Sequence, residues 1–279
     1  MSRFDKFPRQ PAHPVPVPRQ ESKSSTEISE QLQRKGYSSA DADRIPEQVA
    51  RVLFPRKGVF VFCLDATGSM APTLKDAKNS LREIATRMAS EAKCAVEIEV
   101  IAYRDYDMGN LVREDSGLTA DMEKLVKFLD GLGAAGGGAD GGEAVQAGLE
   151  RALQIENLCA VLLAGDEPAH TRLQLNGMQR HQQLTAAELA RQFGDKKIPV
   201  HTFVVGQRPD TIASFEAIAQ ASGGKRGFLD GSKAMIDMAV MAMLASLKGA
   251  AAVQVYMQKN LLSDNAADFG RLLIEGPKG

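Results

Sequence analysis

From residue 59 onward, short apolar runs alternate with segments in which apolar residues return every three or four positions. VFVFCL at 59–64, AVEIEVIAY at 95–103, LCAVLLA at 158–164 and IPVHTFVV at 198–205 have the length and the β-branched content of strands. After the first run, Leu74, Ala77, Leu81, Ile84 and Met88 share one helix face. That face begins just past Pro72, tolerated in a first helical turn because its missing N–H would have no partner there. Val145, Gly148, Leu149 and Ala152 predict a second helix, Ile212, Phe215 and Ala219 another, and Met235, Met238, Ala242 and Ala245 a further one. Strands apolar on both faces, alternating with helices, predict a mainly parallel sheet with helices on both sides. The expectation is a doubly wound α/β domain over residues 57–248.

The flanks read differently. Residues 1–24 carry five prolines, a composition for extended polyproline II or disorder rather than packing. Between 25 and 56, Ile28 with Leu32 and Val49 with Val52 and Leu53 have helical spacing around the turn-like GYSSAD, which predicts a short helical extension. Residues 249–279 form a C-terminal extension with both acidic and apolar positions.

Composition narrows the function. With 279 residues, 44% of them hydrophobic, the chain can bury a large core, and 34 basic against 35 acidic residues leave a formal charge of −1. No broad positive field exists for nucleic acid or an anionic membrane, so any binding is local. The three cysteines, Cys63, Cys94 and Cys159, lie singly in or beside apolar runs, without zinc or disulfide spacing. MSRFDKFPRQ lacks a signal-type apolar core and no run approaches 18 apolar residues, so a cytoplasmic protein without a membrane span is expected.

The chemistry gathers where strands end. Doubly wound sheets bind ligands outside the carboxyl ends of their strands. There the chain places Asp65 with Thr67, Gly68 and Ser69, then Arg104-Asp105-Tyr106-Asp107, then Gly165-Asp166-Glu167, with Asp140 in the glycine-rich GAAGGGADGGE before the Val145 helix. Carboxylates with Ser and Thr hydroxyls are hard oxygen donors, suited to Mg2+ or Mn2+. Gathered without a cation, they would repel one another and raise at least one pKa. In DATGS the hydroxyls follow the carboxylate by two and four residues, so a tight turn can aim Asp65, Thr67 and Ser69 at one point.

D-x-T-G-S at the end of a buried strand resembles the metal-ion-dependent adhesion site of von Willebrand factor type A (VWA) domains. YRDYD, GGGADGGE, LLAGDEPAH and IPVHTFVVG followed by FEAIAQASGG resemble the matching segments of intracellular VWA domains, including those joined to atypical alpha-kinases. The resemblance covers residues 57 to about 247. It implies Asp65, Thr67 and Ser69 as first-loop metal ligands and Asp166 as the third-loop carboxylate. Asp140 stands at the second-loop position, where integrin-like members carry Thr, and Asp105 is a supporting residue or occasional ligand. The implied function is a non-enzymatic module in which a protein partner's acidic residue completes the coordination of Mg2+ or Mn2+.

Each residue has a plainer competitor. Asp65 would serve as a helix N-cap, Asp166 as the start of a turn with Pro168, and Asp140 as a residue among flexible glycines. The glycine-rich loop lacks the Lys-Ser/Thr ending of a phosphate-binding loop. His170, His181 and His201 share no ligand spacing and read as core or surface histidines. The four methionines between 235 and 243 suit either a helix packed on the sheet or an adaptable docking face. DATGS also resembles the phosphorylated-aspartate motif of haloacid-dehalogenase-like phosphatases and P-type ATPases, with Asp65 as nucleophile. The phosphatase-type second acid is absent at Ala66 and Thr67, the ATPase-type Lys is Ala66, and the last Asp of a GDxxxD segment is His170.

Overall fold

All four predicted apolar runs are strands in the computed structural model of the protein, which describes residues 58–92, 95–137 and 141–275. They are β1 (Gly58–Asp65), β2 (Val96–Tyr103), β4 (Leu158–Gly165) and β5 (Val200–Val205). Two shorter strands, β3 (Arg113–Asp115) and β6 (Arg226–Leu229), complete a six-stranded sheet in the order β3-β2-β1-β4-β5-β6. Every pairing is parallel except that of β3, which runs antiparallel to β2 at one edge. The polar Arg-Glu-Asp of β3 is half-solvated and carries no apolar period, so nothing in its pattern marks it as a strand.

Although β1 is buried throughout, its alternate residues serve different layers, as the two-residue period of a strand requires. Phe60, Phe62 and Leu64 face α1 (Ala71–Ala92), α2 (Met122–Gly131) and α7 (Ser232–Lys248). Val59, Val61 and Cys63 face α3 (Val145–Ala152), α5 (Ala186–Asp195) and α6 (Pro209–Ser222). Each predicted helix face is the buried one: Leu74, Ala77, Leu81, Ile84 and Met88 on α1, and Val145, Leu149 and Ala152 on α3. Gly148 lets α3 lie against β1, since a Cβ there would sit 2.4 Å from the Cys63 sulfur. Met235, Met238, Met241 and Met243 are all core residues, so the packed helix, not a docking face, accounts for them. Sequence periodicity did not single out α2, α4 (Arg172–Gly177) or α5, although α5 opens with a capping box in which Thr185 and Glu188 bond each other's backbone.

The chain continues into α8 (Ala250–Lys259) and α9 (Asp264–Glu275), which bury Val253, Tyr256, Ala266 and Phe269 against α7 and β6. A partly buried hydrogen-bonded triad joins α1, α7 and α8. Arg87 donates to Asp237 at 2.8 Å and to the Tyr256 hydroxyl at 2.6 Å, and that hydroxyl donates to Asp237 at 2.7 Å. The described residues belong to one unit, Arg56–Gly279. The expected Pro-rich tail and helical extension, Cys94 and Asp140 lie outside the described residues. Among the described residues no helix is long and apolar enough to cross a membrane.

Register sets the position of the site. Asp65 is level with Tyr103 across β1 and β2, and Leu64 is level with Ala164 across β1 and β4. The three central strands therefore end together, and the loops after them start from one rim.

Candidate metal centre

At the end of β1 the Ala66 amide still donates to the Tyr103 carbonyl, at 2.8 Å, so the strand geometry persists through Asp65. The chain then turns sharply into a 3-10 turn, Gly68–Met70, which leads directly into α1. Asp65 closes this turn: its Oδ1 accepts from the Thr67 amide at 2.8 Å and from the Thr67 hydroxyl at 2.7 Å. The Ser69 hydroxyl lies 3.3 Å from that of Thr67. The N-cap position belongs to Thr67, so capping is not the role of Asp65.

The other carboxylate oxygen, Asp65 Oδ2, is buried and has no hydrogen-bond partner, and neither has Asp166 Oδ1 at the end of β4. Burial, first, pushes the Asp65 carboxyl up to about 7. The two Thr67 hydrogen bonds oppose that rise, and Asp166 adds to it, both by its charge and as a facing acid. Two such oxygens without a donor are satisfied only by a shared proton or by a cation. Gly165 keeps the space open, because a Cβ there would sit 2.5 Å from the Tyr103 hydroxyl and 3.3 Å from Asp65 Oδ2.

The second loop is tied to the first and third. The Ala135 amide donates to the Ala66 carbonyl and the Gly68 amide to the Gly136 carbonyl, both at 3.1 Å. Beyond the glycines, the Glu143 amide donates to the Pro168 carbonyl at 2.9 Å and the Ala144 amide to the Arg104 carbonyl at 3.0 Å. Arg104, a buried guanidinium, donates to the carbonyls of Leu111 and Gly133 and to Glu114 at 2.7–2.9 Å. The loop follows α2 rather than a strand, which removes the phosphate-loop reading.

Asp105 holds a histidine beside the cluster. Its Oδ1 accepts from the Tyr106 amide at 2.6 Å and lies 2.7 Å from His170 Nε2, and Tyr106 stacks on the His170 ring. His201 is also a core residue, held neutral by burial and by nearby Lys225, which push it down to about 4, while His181 is exposed. Glu167 pairs with Arg208.

One residue of the cluster escaped the sequence reading. Glu143 is 1% exposed, and its Oε2 is without a partner. Burial, then the charges of Asp65, Asp105, Glu167 and Asp166, push its carboxyl up to about 9. Its only signal was an acid at the junction of a glycine loop and an apolar helix.

The donors brought together are two carboxylates and two hydroxyls: Asp65, Asp166, Thr67 and Ser69. Among the described residues no three of His, Cys, Asp and Glu are placed to hold one ion directly. The orphaned oxygens and hard donor set fit a divalent cation of the Mg2+ or Mn2+ type, which keeps several waters and needs only one or two carboxylates.

A family model described as von Willebrand factor A domain matches residues 59–230, the span from β1 to the turn after β6. A protein described as ariadne-like RING finger protein R811, from Acanthamoeba polyphaga mimivirus, is 27% identical over 197 residues. That match takes in 67% of this chain and 20% of the viral protein, so the chain spans about a fifth of that relative. Among solved structures, proximal thread matrix protein 1 of the mussel byssus superposes with a TM-score of 0.50 at 13% identity, covering 75% of this chain and 52% of the other. The pilus adhesin SpaC of Lactobacillus rhamnosus GG gives 0.50 at 13% identity, over 70% of this chain and 31% of the adhesin. At these identities the likeness is one of fold.

Proposed function

The chain belongs to the von Willebrand factor A domain family, and on that premise we propose that its domain binds a protein partner through Mg2+ or Mn2+ at the rim of the sheet. The observation that carries this reading is the pair of buried, partnerless oxygens, Asp65 Oδ2 and Asp166 Oδ1, beside the Thr67 and Ser69 hydroxyls. Asp65, Thr67, Ser69 and Asp166 hold the cation, and Asp140 joins them directly or through one water. Asp105, after β2, supports the site by fixing His170, after β4. When bound, the cation supplies an electrophilic position that an acidic side chain of the partner fills. No turnover is required. A phosphoryl-transfer role for Asp65 finds little support, because Ala66 offers no acid and His170 is engaged by Asp105.

Thermal melts with Mg2+ or Mn2+ and with EDTA test the reading. A ligand that binds only the native state stabilises it by about 2.7 kcal/mol at a hundred times its Kd. Wild type should gain stability with metal and Asp65→Ala should not. An identical metal response in both proteins would place the site elsewhere. Affinity capture with Mg2+ against chelator then identifies what the loaded rim retains.

A further inference from the structure

Three carboxylates with buried oxygens face the rim without a counter-charge. Glu167 pairs with Arg208 and Asp105 is hydrogen-bonded to His170, but among the described residues Asp65, Asp166 and Glu143 form no ion pair. Asp65 and Asp166 are explained by the metal reading. Glu143 is not, since it lies outside the D-x-T-G-S motif and outside the third loop.

Its placement is fixed rather than incidental. The Glu143 amide donates to the Pro168 carbonyl, its own carbonyl accepts from the His170 amide at 3.3 Å, and the next amide is held by Arg104. Glu143 and Ala169 form a parallel bridge. With its backbone pinned between two loops, the side chain stays enclosed at 1% exposure, and Oε2 has no donor. A buried carboxylate in that state destabilises the fold unless a positive charge reaches it. An apolar residue or an amide would sit there at lower cost.

We infer that Glu143 is a further carboxylate of the metal centre, acting on the bound cation through water and raising the affinity for it. The inference rests on the metal reading above. Water mediation is part of the inference: among the described residues no three acidic or histidine groups are placed for direct ligation, and Mg2+ keeps part of its water shell. Carboxylates that bond the waters or ligands around a metal contribute about 10- to 100-fold in affinity.

Calorimetric titration of Mg2+ and Mn2+ into the full chain, with Glu143→Gln and Asp65→Asn beside wild type, tests this, together with melts of each protein in EDTA at pH 8. Glu143→Gln keeps the shape and removes the charge, so it should lose at least about ten-fold in metal affinity while its metal-free Tm rises. A merely structural Glu143 cannot move those two readouts in opposite directions. Unchanged affinity in Glu143→Gln, with affinity lost in Asp65→Asn, would overturn the role of Glu143 and leave the metal site standing. A lower metal-free Tm in Glu143→Gln would also overturn it, by making the carboxylate a structural partner. Wild type that takes up no metal would overturn the metal reading itself.

Discussion

Replacing Asp65 by Asn keeps the turn and removes its charge. Asn retains an oxygen for the Thr67 amide and hydroxyl, which now sit 2.8 and 2.7 Å from Oδ1, and turns a donor toward Asp166. In the folded chain the Asp65 carboxyl titrates near 7, against about 3.8 when unfolded. A raised folded value means the native state holds the proton more tightly. Its contribution to stability is therefore complete below about pH 4, falls as pH rises toward 7, and is gone above that. At about 1.4 kcal/mol per pH unit, ionisation of Asp65 costs the metal-free fold about 3 kcal/mol between pH 5 and pH 8. The Asp65→Asn variant has no carboxyl to ionise, so the stability gap between variant and wild type should widen by about that amount over the same interval in EDTA. Easing of Glu143 by loss of its charged neighbour adds to the gap. Urea denaturation followed by circular dichroism at pH 5 and pH 8 measures it, and saturating Mg2+ should close it by stabilising wild type alone. A gap that stays constant across that range would mean Asp65 ionises as an ordinary exposed carboxylate, and the case for a cation-demanding site would lose its basis.

Gly165→Ala puts a methyl group 2.5 Å from the Tyr103 hydroxyl and 3.3 Å from Asp65 Oδ2, so it should cost about 1–3 kcal/mol in urea and weaken Mg2+ binding in calorimetry. Full stability and affinity would show that the cradle adapts. Tyr256→Phe removes the hydroxyl shared by Arg87 and Asp237, and should cost about 1.5–3 kcal/mol in the same denaturation, since both partners are charged. No loss would mean that α8 does not stabilise the core through this triad. Asp140→Thr, which restores the integrin-like residue, should weaken Mg2+ binding, and unchanged calorimetric affinity would make Asp140 a loop residue only.

The parts legible in the sequence are those set by local pattern. Apolar runs located the four long strands, and the spacing of the hydroxyls two and four residues after the carboxylate that closes the first of them anticipated that Asp65, Thr67 and Ser69 lie together. What stayed hidden depends on contacts between distant segments. Asp105 read as a supporting residue or occasional ligand, but what it supports was not legible, because its partner His170 is 65 residues away and arrives only when the third loop folds over. Glu143 looked like one more polar residue after glycines, and its burial exists only because Pro168, His170 and Arg104 hold the backbone on either side. β3 is too polar and β6, at four residues, too short to stand out by pattern, and they form because a longer neighbour offers an open edge.

If the proposed cation is bound, charge balance decides what kind of partner the rim would hold. With Asp65, Asp166 and Glu143 all ionised, a divalent cation leaves the cluster with one net negative charge. Each carboxylate about 4 Å from the incoming anion opposes the pull of the cation by about 4 kcal/mol at an effective dielectric near 20, before compensation by solvent. At long range such a cluster would repel an acidic partner rather than attract it, and more so with Asp140 included. What remains is the short-range gain when the partner's oxygen replaces a water on the cation, and that gain depends on distance and angle rather than on net charge. Selection at this rim therefore falls to the shape of the surrounding loops. Those loops are tied by backbone hydrogen bonds at Ala66, Gly68, Glu143 and Ala144, bonds that fix geometry without adding charge.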